Sequence, residues 1–332
     1  MVDSSFPPVT LIIPNFNGAC LLRKNIPFVI AAAERYPGKS SIIVVDDGSR
    51  DDSVQILHTE FPSICVVEHV INQGFAEAIH SGVSTASTEL LVFLNSDVRP
   101  DPAFLVPLLR HFQRPEVFSV TPLIMDENSH VSPVSWRCFR ISGGRLRTLR
   151  WQYDKMRRNA QASLFASGGS MALRKSMFLD LDGFLPIFRP FYSEDADLGI
   201  RAWRRGWETL LDPTSWVVHE RTGSIKENIS KAKVRMVRVR NQFILEWIHV
   251  PGKELILFFL PRYLLQFFVR LVTLDIVSVR ASFAALRKLP QALKVRYGIR
   301  QNSVLSFWEV IRIVEEHARL DDASAQIPSH PK

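Results

Sequence analysis

The chain has 332 residues, 46% of them apolar and 22% charged, a balance that supports a large folded core and excludes a wholly disordered, fibrous or collagen-like protein. Lysine and arginine outnumber acids 41 to 33, for a formal net charge of +8, which leaves three partners open: nucleic acid, an anionic membrane surface or a phosphate-bearing substrate. The cysteines Cys20, Cys65 and Cys138 are too few and too widely spaced for a disulfide framework or metal cluster, and they fit a reducing compartment.

The opening MVDSSFPPVTLII carries no basic leader followed by a long apolar stretch, so a cytoplasmic placement is expected. Short β-branched or apolar runs at 9–13, 42–45, 64–67, 90–94 and 117–124 alternate with segments of helical length. That alternation predicts an α/β fold with a mostly parallel sheet and crossover helices. Ile42-Ile43-Val44-Val45 is apolar on both faces, as a strand covered on both sides should be. Asp101-Pro102 predicts a helix start, with Pro107 lying early in that helix or bending it.

From 126 to 166 the pattern decays into Ser-Gly-Gly and a basic series, Arg137, Arg140, Arg145, Arg147, Arg150, Lys155, Arg157 and Arg158, read as a mobile insertion. Residues 228–250 read as a basic helix. The most hydrophobic window, 254–279, is interrupted by Pro261, Arg262, Arg270 and Asp275, so no uncharged run reaches the roughly 18 residues a spanning helix needs. Residues 251–320 are therefore expected to form an amphipathic helical extension on an anionic membrane surface, with packing in a homo-oligomer as the other use of the same helices. Residues 321–332 are expected to be a disordered tail.

Two phrases deliver polar groups to the carboxyl ends of strands, where open α/β sheets bind ligands. VVDDGSRDDS places Asp46 and Asp47 after one strand, and LLVFLNSDVRPD places Asn95, Ser96 and Asp97 after another. A hard carboxylate such as Asp97 suits Mg²⁺ or Mn²⁺ bridging a diphosphate. In SEDADLG the acids Glu194, Asp195 and Asp197 fall within four residues; a helix turns about 100° per residue, so they cannot all face one way.

The ordered series VTLIIPNFNG, VVDDGS, NQGFAEA, FLNSDV, ASGGSMALRKS, FYSEDADLGIRAWRRGW and VVHERTGS resembles glycosyltransferase family 2 over roughly residues 9–245. This is a group of inverting GT-A enzymes that use nucleotide-diphosphate sugars. The resemblance implies a GT-A domain over 1–250, a mixed sheet flanked by helices. Pro14, Phe16 and Asn17 would flank the base, with Phe16 stacking. Asp46 and Asp47 would hold base and ribose, Asp47 meeting the pyrimidine N3–H. Asn72 and Gly74 would bring the backbone close to the nucleotide. Asn95-Ser96-Asp97 stands where the family carries Asp-x-Asp; the first acid is Asn here, leaving Asp97 as the loop's carboxylate ligand to a divalent cation, with His219 completing the site. Gly168 and Gly169 would leave room for the donor sugar. Asp195 matches the general base, Glu194 would orient it or touch the acceptor, and Asp197 would cap or pair with Arg201. Arg201, Arg204 and Arg205 would neutralise acidic neighbours or the departing diphosphate, or form a solvated basic face.

The expected reaction is transfer from a UDP- or dTDP-sugar to the hydroxyl of a saccharide or lipid-linked acceptor in cell-surface polysaccharide synthesis, at the inner face of the membrane. No Gln-x-x-Arg-Trp motif is evident, which favours single-residue addition. The alternative is a catalytically silent GT-A-like scaffold or anionic-ligand-binding protein. A dinucleotide enzyme fits poorly, because Pro-Asn-Phe-Asn-Gly follows the first strand instead of a G-x-G-x-x-G turn. Nucleic acid is not expected as a partner, since the basic residues lack interleaved aromatics.

Overall fold

The computed structural model describes residues 5–149, 159–220 and 230–324, with 318–324 as backbone only. The apolar runs form β1 (Val9–Asn15), β2 (Ser40–Asp46), β3 (Cys65–Glu68), β4 (Leu90–Leu94) and, after a short β5 (Val98–Pro100), β6 (Val117–Met125). Helices α1 (Ala19–Arg35), α2 (Ser53–Glu60) and α3 (Phe75–Thr85) connect the first four. The next helix, α4 (Leu105–Leu109), holds Pro107 in its first turn and passes into a 3-10 turn at Arg110–Gln113; proline is tolerated there because the first N–H groups of a helix have no partner within it. Then come β7 (Phe139–Ile141), β8 (Leu146–Thr148), β9 (Gln161–Ala162), β10 (Ser170–Arg174), α5 (Lys175–Asp180), α6 (Glu194–Arg204) and β11 (Glu208–His219).

The main sheet runs β3-β2-β1-β4-β10-β6-β11-β5, with β9 beside β11. Its first four strands are parallel. Insertion of β10 antiparallel between β4 and β6 makes the sheet mixed. Every residue of β4 is buried, because α1 and α4 cover one face while α3, α5 and α6 cover the other. Asn15 and Asp46 pair at the ends of β1 and β2, so the loops after β1, β2 and β4 open on one edge.

The stretch 126–166, expected to be mobile, is folded where it is described. β7 and β8 form a hairpin, and Gly143 and Gly144 at its tip have φ of +58° and +64°, values glycine adopts without strain. Trp136, Cys138 and Leu146 are buried there. The remaining residues of that stretch, 150–158, lie outside the described residues.

The C-terminal helices are α7 (Lys231–His249), α8 (Gly252–Val272), α9 (Ile276–Arg287), α10 (Leu289–Gln301) and α11 (Phe307–Ser324). Phe243, Ile244 and Trp247 of α7 share one buried cluster with Trp136, Leu146, Ile200, Phe259 and Phe307. Residues on either side of position 250 thus fill the same core. Helix α11 runs through 321–324, the start of the expected tail; residues 325–332 lie outside the described residues.

Candidate active site

A cleft of about 600 Å³ opens at the carboxyl edge of β1, β2 and β4. Pro14, Phe16, Asp47, Asn72, Gly74, Asn95, Ser96, Asp97, Gly168, Gly169, Glu194, Asp195 and His219 all line it. Asn17 and Asp46 are not among its lining residues. Asp46 is buried, and its carboxylate accepts from Asn15 Nδ2 at 2.9 Å, Ser49 N at 2.9 Å and Ser49 Oγ at 2.6 Å. Asn17 accepts from Arg50 N at 2.8 Å and donates its own N–H to Ser49 Oγ at 2.8 Å. Both brace the loops that carry Phe16 and Asp47.

Asp47 holds the opposite wall. Its Oδ1 accepts from Gln73 N at 2.8 Å and meets His69 Nδ1 at 2.7 Å, and its Oδ2 accepts from Gly74 N at 2.7 Å. Each carboxylate oxygen has two lone pairs, so Oδ2, with the Gly74 N–H as its one recorded donor, retains an acceptor site. Gly74 has a φ of +92°, reached easily only by glycine; the turn it makes starts α3. His69 was not flagged in the sequence, yet it links Asp47 to Ser81 Oγ at 2.8 Å.

On the β4 side, Asn95 donates its N–H to the Gly169 carbonyl at 2.9 Å. A Cβ on Gly169 would lie 2.6 Å from Asn95 Nδ2, whereas one on Gly168 would meet nothing closer than 3.6 Å. A side chain at Gly169 would thus press on Asn95, whereas a Cβ on Gly168 would make ordinary contact with Asp195 and Phe75. Asp97 Oδ1 is buried with no hydrogen-bond partner among the described residues and lies 3.5 Å from His219 Nε2. Pairing of Val98 in β5 with His219 in β11 sets them side by side. Two neighbouring ligands at about 2.1 Å from an octahedral cation lie about 3 Å apart, so carboxylate and imidazole fit a shared Mg²⁺ or Mn²⁺. No third histidine, cysteine or acid joins them among the described residues; such ions commonly complete their shell with water and substrate phosphate.

The third wall is the start of α6. Tyr192 and Ser193 both take left-handed φ, +72° and +77°, an unfavourable conformation for residues with a Cβ. Asn241 on α7 offsets it: fully buried, its Nδ2 donates to the carbonyls of Phe188, Phe191 and Tyr192 at 2.7, 2.9 and 2.7 Å. Burial in the cleft wall, reinforced by the neighbouring Asp195 carboxylate, pushes Glu194 up to about 8. Burial also raises Asp195, while the Ala196 N–H, donating at 2.8 Å, and the nearby Arg137 guanidinium pull it back. Asp197 turns away, pairing with Arg201 at 2.7 Å and His249 at 2.9 Å. Arg201 is buried and also donates to the Leu181 and Gly183 carbonyls, Arg204 is largely buried, and Arg205 pairs with Asp180; among the described residues none of the three lines the cleft.

Arg137 and Asn241 were missed by sequence reasoning. Arg137 sits in a basic run that gives no sign of returning to Asp195. Asn241 did leave a signal: it shares the helical stripe of Val237, Ile244 and Ile248, all buried.

The model of the family described as Glycosyl transferase family 2 matches residues 10–181, just over half the chain. The chain belongs to glycosyl transferase family 2. Within this family, it is similar to a pre-mycofactocin glycosyltransferase of Mycobacterium tuberculosis, 27% identical over 232 residues that make up 67% of this chain and 45% of the relative. An N-acetylglucosaminyl-diphospho-decaprenol L-rhamnosyltransferase of the same species is 22% identical over 208 residues, 55% of this chain and 67% of the relative. Among solved structures, the family 2 chain is similar in fold to GalNAc-T7 with UDP, GalNAc and Mn²⁺, with a TM-score of 0.58, 16% identity, and coverage of 75% of this chain and 49% of that one. Mannosyltransferase PcManGT from Pyrobaculum calidifontis, in complex with GDP-Man and Mn²⁺, gives a TM-score of 0.53 at 16% identity, covering 96% and 88%. The family 2 chain thus has the GT-A fold: a mixed sheet flanked by helices, with a helical C-terminal region.

Proposed function

We propose that this chain is an inverting glycosyltransferase that moves one sugar from a UDP- or dTDP-linked donor to an acceptor hydroxyl. The observation that carries this reading is the convergence on one cleft of a raised carboxyl pair, Glu194 and Asp195, and a carboxylate–imidazole pair, Asp97 and His219. Phe16 would stack on the base, and the remaining acceptor site of Asp47 Oδ2 would take the N3–H of uracil or thymine. Asp97 and His219 would hold a divalent cation, whose charge offsets that of the departing diphosphate.

Asp195 takes the proton of the acceptor hydroxyl as its oxygen bonds to the anomeric carbon. The bond from that carbon to the diphosphate oxygen breaks, and the nucleoside diphosphate leaves with the electron pair. Attack opposite the leaving group inverts the centre. Asp195 suits the base role because its raised affinity for a proton brings it closer to working pH. The acceptor in this reading is a saccharide carried on a lipid, a class that the rhamnosyltransferase relative's name includes, met on the cytoplasmic side of the membrane.

A donor screen with Mn²⁺ or Mg²⁺, reading nucleoside-diphosphate release, tests this. With a confirmed donor, Asp195→Asn should lower turnover by about 10²–10⁴-fold while donor binding persists. Unchanged turnover would remove Asp195 as the base.

A further inference from the structure

Helix α8 is long and apolar enough to cross a membrane, yet almost none of it is buried. Its two faces differ. On the inner one, Phe259 is fully buried, Arg262 and Tyr263 reach Glu246 of α7 at 2.9 and 2.8 Å, and Arg270 donates to Ser282 of α9 at 3.2 Å. On the outer one, Leu257, Leu260, Leu264, Phe268 and Leu271 recur at helical spacing, each between 45% and 65% exposed. Helix α9 continues the surface: Ile276, Arg280, Phe283 and Arg287 share a stripe, all exposed.

Soluble monomers rarely leave so continuous an apolar face in water. Its charges say what covers it. The α9 stripe alternates apolar and basic groups, while the acids nearest the face are engaged elsewhere, Asp275 with Arg235 and Glu254 with Trp308 Nε1. A two-fold contact of this face with itself would bury the arginines of both copies with no free acid among the described residues of the face to pair with them. Lipid phosphates would pair with those arginines, and acyl chains would receive the leucines and phenylalanines. The inner-face anchors, together with the turn into α9 at Thr273-Leu274-Asp275, hold α8 along the body, so it cannot stand across a bilayer.

We propose that the outer face of α8 and α9 docks flat on an anionic lipid leaflet, with α8 lying in the interface plane. The inference goes beyond the transfer reaction and stands on this face alone, whatever donor or acceptor the cleft takes.

Flotation of the full chain with phosphatidylglycerol-containing or pure phosphatidylcholine vesicles tests it. Binding should favour the anionic vesicles by about tenfold or more. The double substitution Leu264→Glu/Phe268→Glu should abolish flotation, and Arg280→Glu/Arg287→Glu should erase the anionic preference. Both pairs are exposed, and unchanged donor binding and nucleoside-diphosphate release in solution would show that the cleft is intact, separating failure of docking from failure of the catalytic reading. Flotation undiminished by Leu264→Glu/Phe268→Glu would overturn the proposal. So would a dimer in lipid-free solution that this variant splits without any vesicle binding by the parent, or resistance of the bound protein to alkaline carbonate extraction, the mark of a spanning helix.

Discussion

Two adjacent carboxyls in one cleft wall, Glu194 and Asp195, face the same burial but different neighbours. Glu194 Oε2 is buried without a hydrogen-bond partner among the described residues, and its proton affinity rises to about 8. Asp195 is raised by the same burial, but the Ala196 N–H and the charge of Arg137 favour its ionised form, the form in which a carboxylate can accept a proton. The ionised form of Asp195 therefore leans on Arg137, whose own charge is disfavoured by burial and sustained by Asp195. A general base works when deprotonated, so turnover should climb as pH rises through the Asp195 titration. Removing the guanidinium in Arg137→Gln makes the carboxylate harder to form, and the rising limb of the kcat–pH profile should move to higher pH. Profiles of parent and variant measured across pH 5–9 check this; a limb that stayed in place or moved down would remove Arg137 from the role.

At the scale of elements, the strands were legible because each is a short β-branched run between turn residues, and Asp47, Asn95 and Asp97 were legible because they follow such runs directly. The β7–β8 hairpin was not, since its strands have three residues each and their outward arginines, Arg140 and Arg147, read as solvated charge while Phe139 and Leu146 turn inward. Nor was the dependence of the cleft on α7. The Tyr192-Ser193 turn that aims Glu194 and Asp195 has no internal means of holding its left-handed backbone; three carbonyls around it are held by the Asn241 amide. Asn241→Leu removes that donor inside the core, leaving the Phe188 carbonyl only the long bond from Arg240 at 3.4 Å, at a cost of about 1–3 kcal/mol for each polar group left unpaired. Because Asp47, Phe16 and Asn95 stand on other elements, donor binding should persist while kcat falls by about tenfold or more. Titration calorimetry with the donor beside steady-state rates reads the split, and an equal loss of both would assign Asn241 to general folding instead.

Across the whole molecule, one buried cluster ties α6 to α7. Burial alone would raise the Asp197 carboxyl, but Arg201 and the His249 hydrogen bond overcome it and hold the group below its ordinary value. Burial lowers His249 from its ordinary value although Asp197 opposes the shift; its Nε2–H donates to the Asp197 carboxylate at Oδ1, while Nδ1 has no partner among the described residues. Since α6 closes one face of the sheet while α7 shares its core with α8 and α11, loss of this carboxylate should loosen both at once. Asp197→Ala strands the buried Arg201 guanidinium and should cost about 3–5 kcal/mol, seen as a lower midpoint in denaturant with the transition still single by tryptophan fluorescence and circular dichroism. The depressed value sets how this contribution varies with pH. The native state binds fewer protons than the unfolded chain around and below pH 3.8, so the contribution is fully present above that range and disappears as pH falls through the native titration. Parent and variant stabilities should accordingly converge on acidification. A difference that held constant from pH 7 to pH 2.5 would mean that Asp197 supports the fold by its shape and not by its charge.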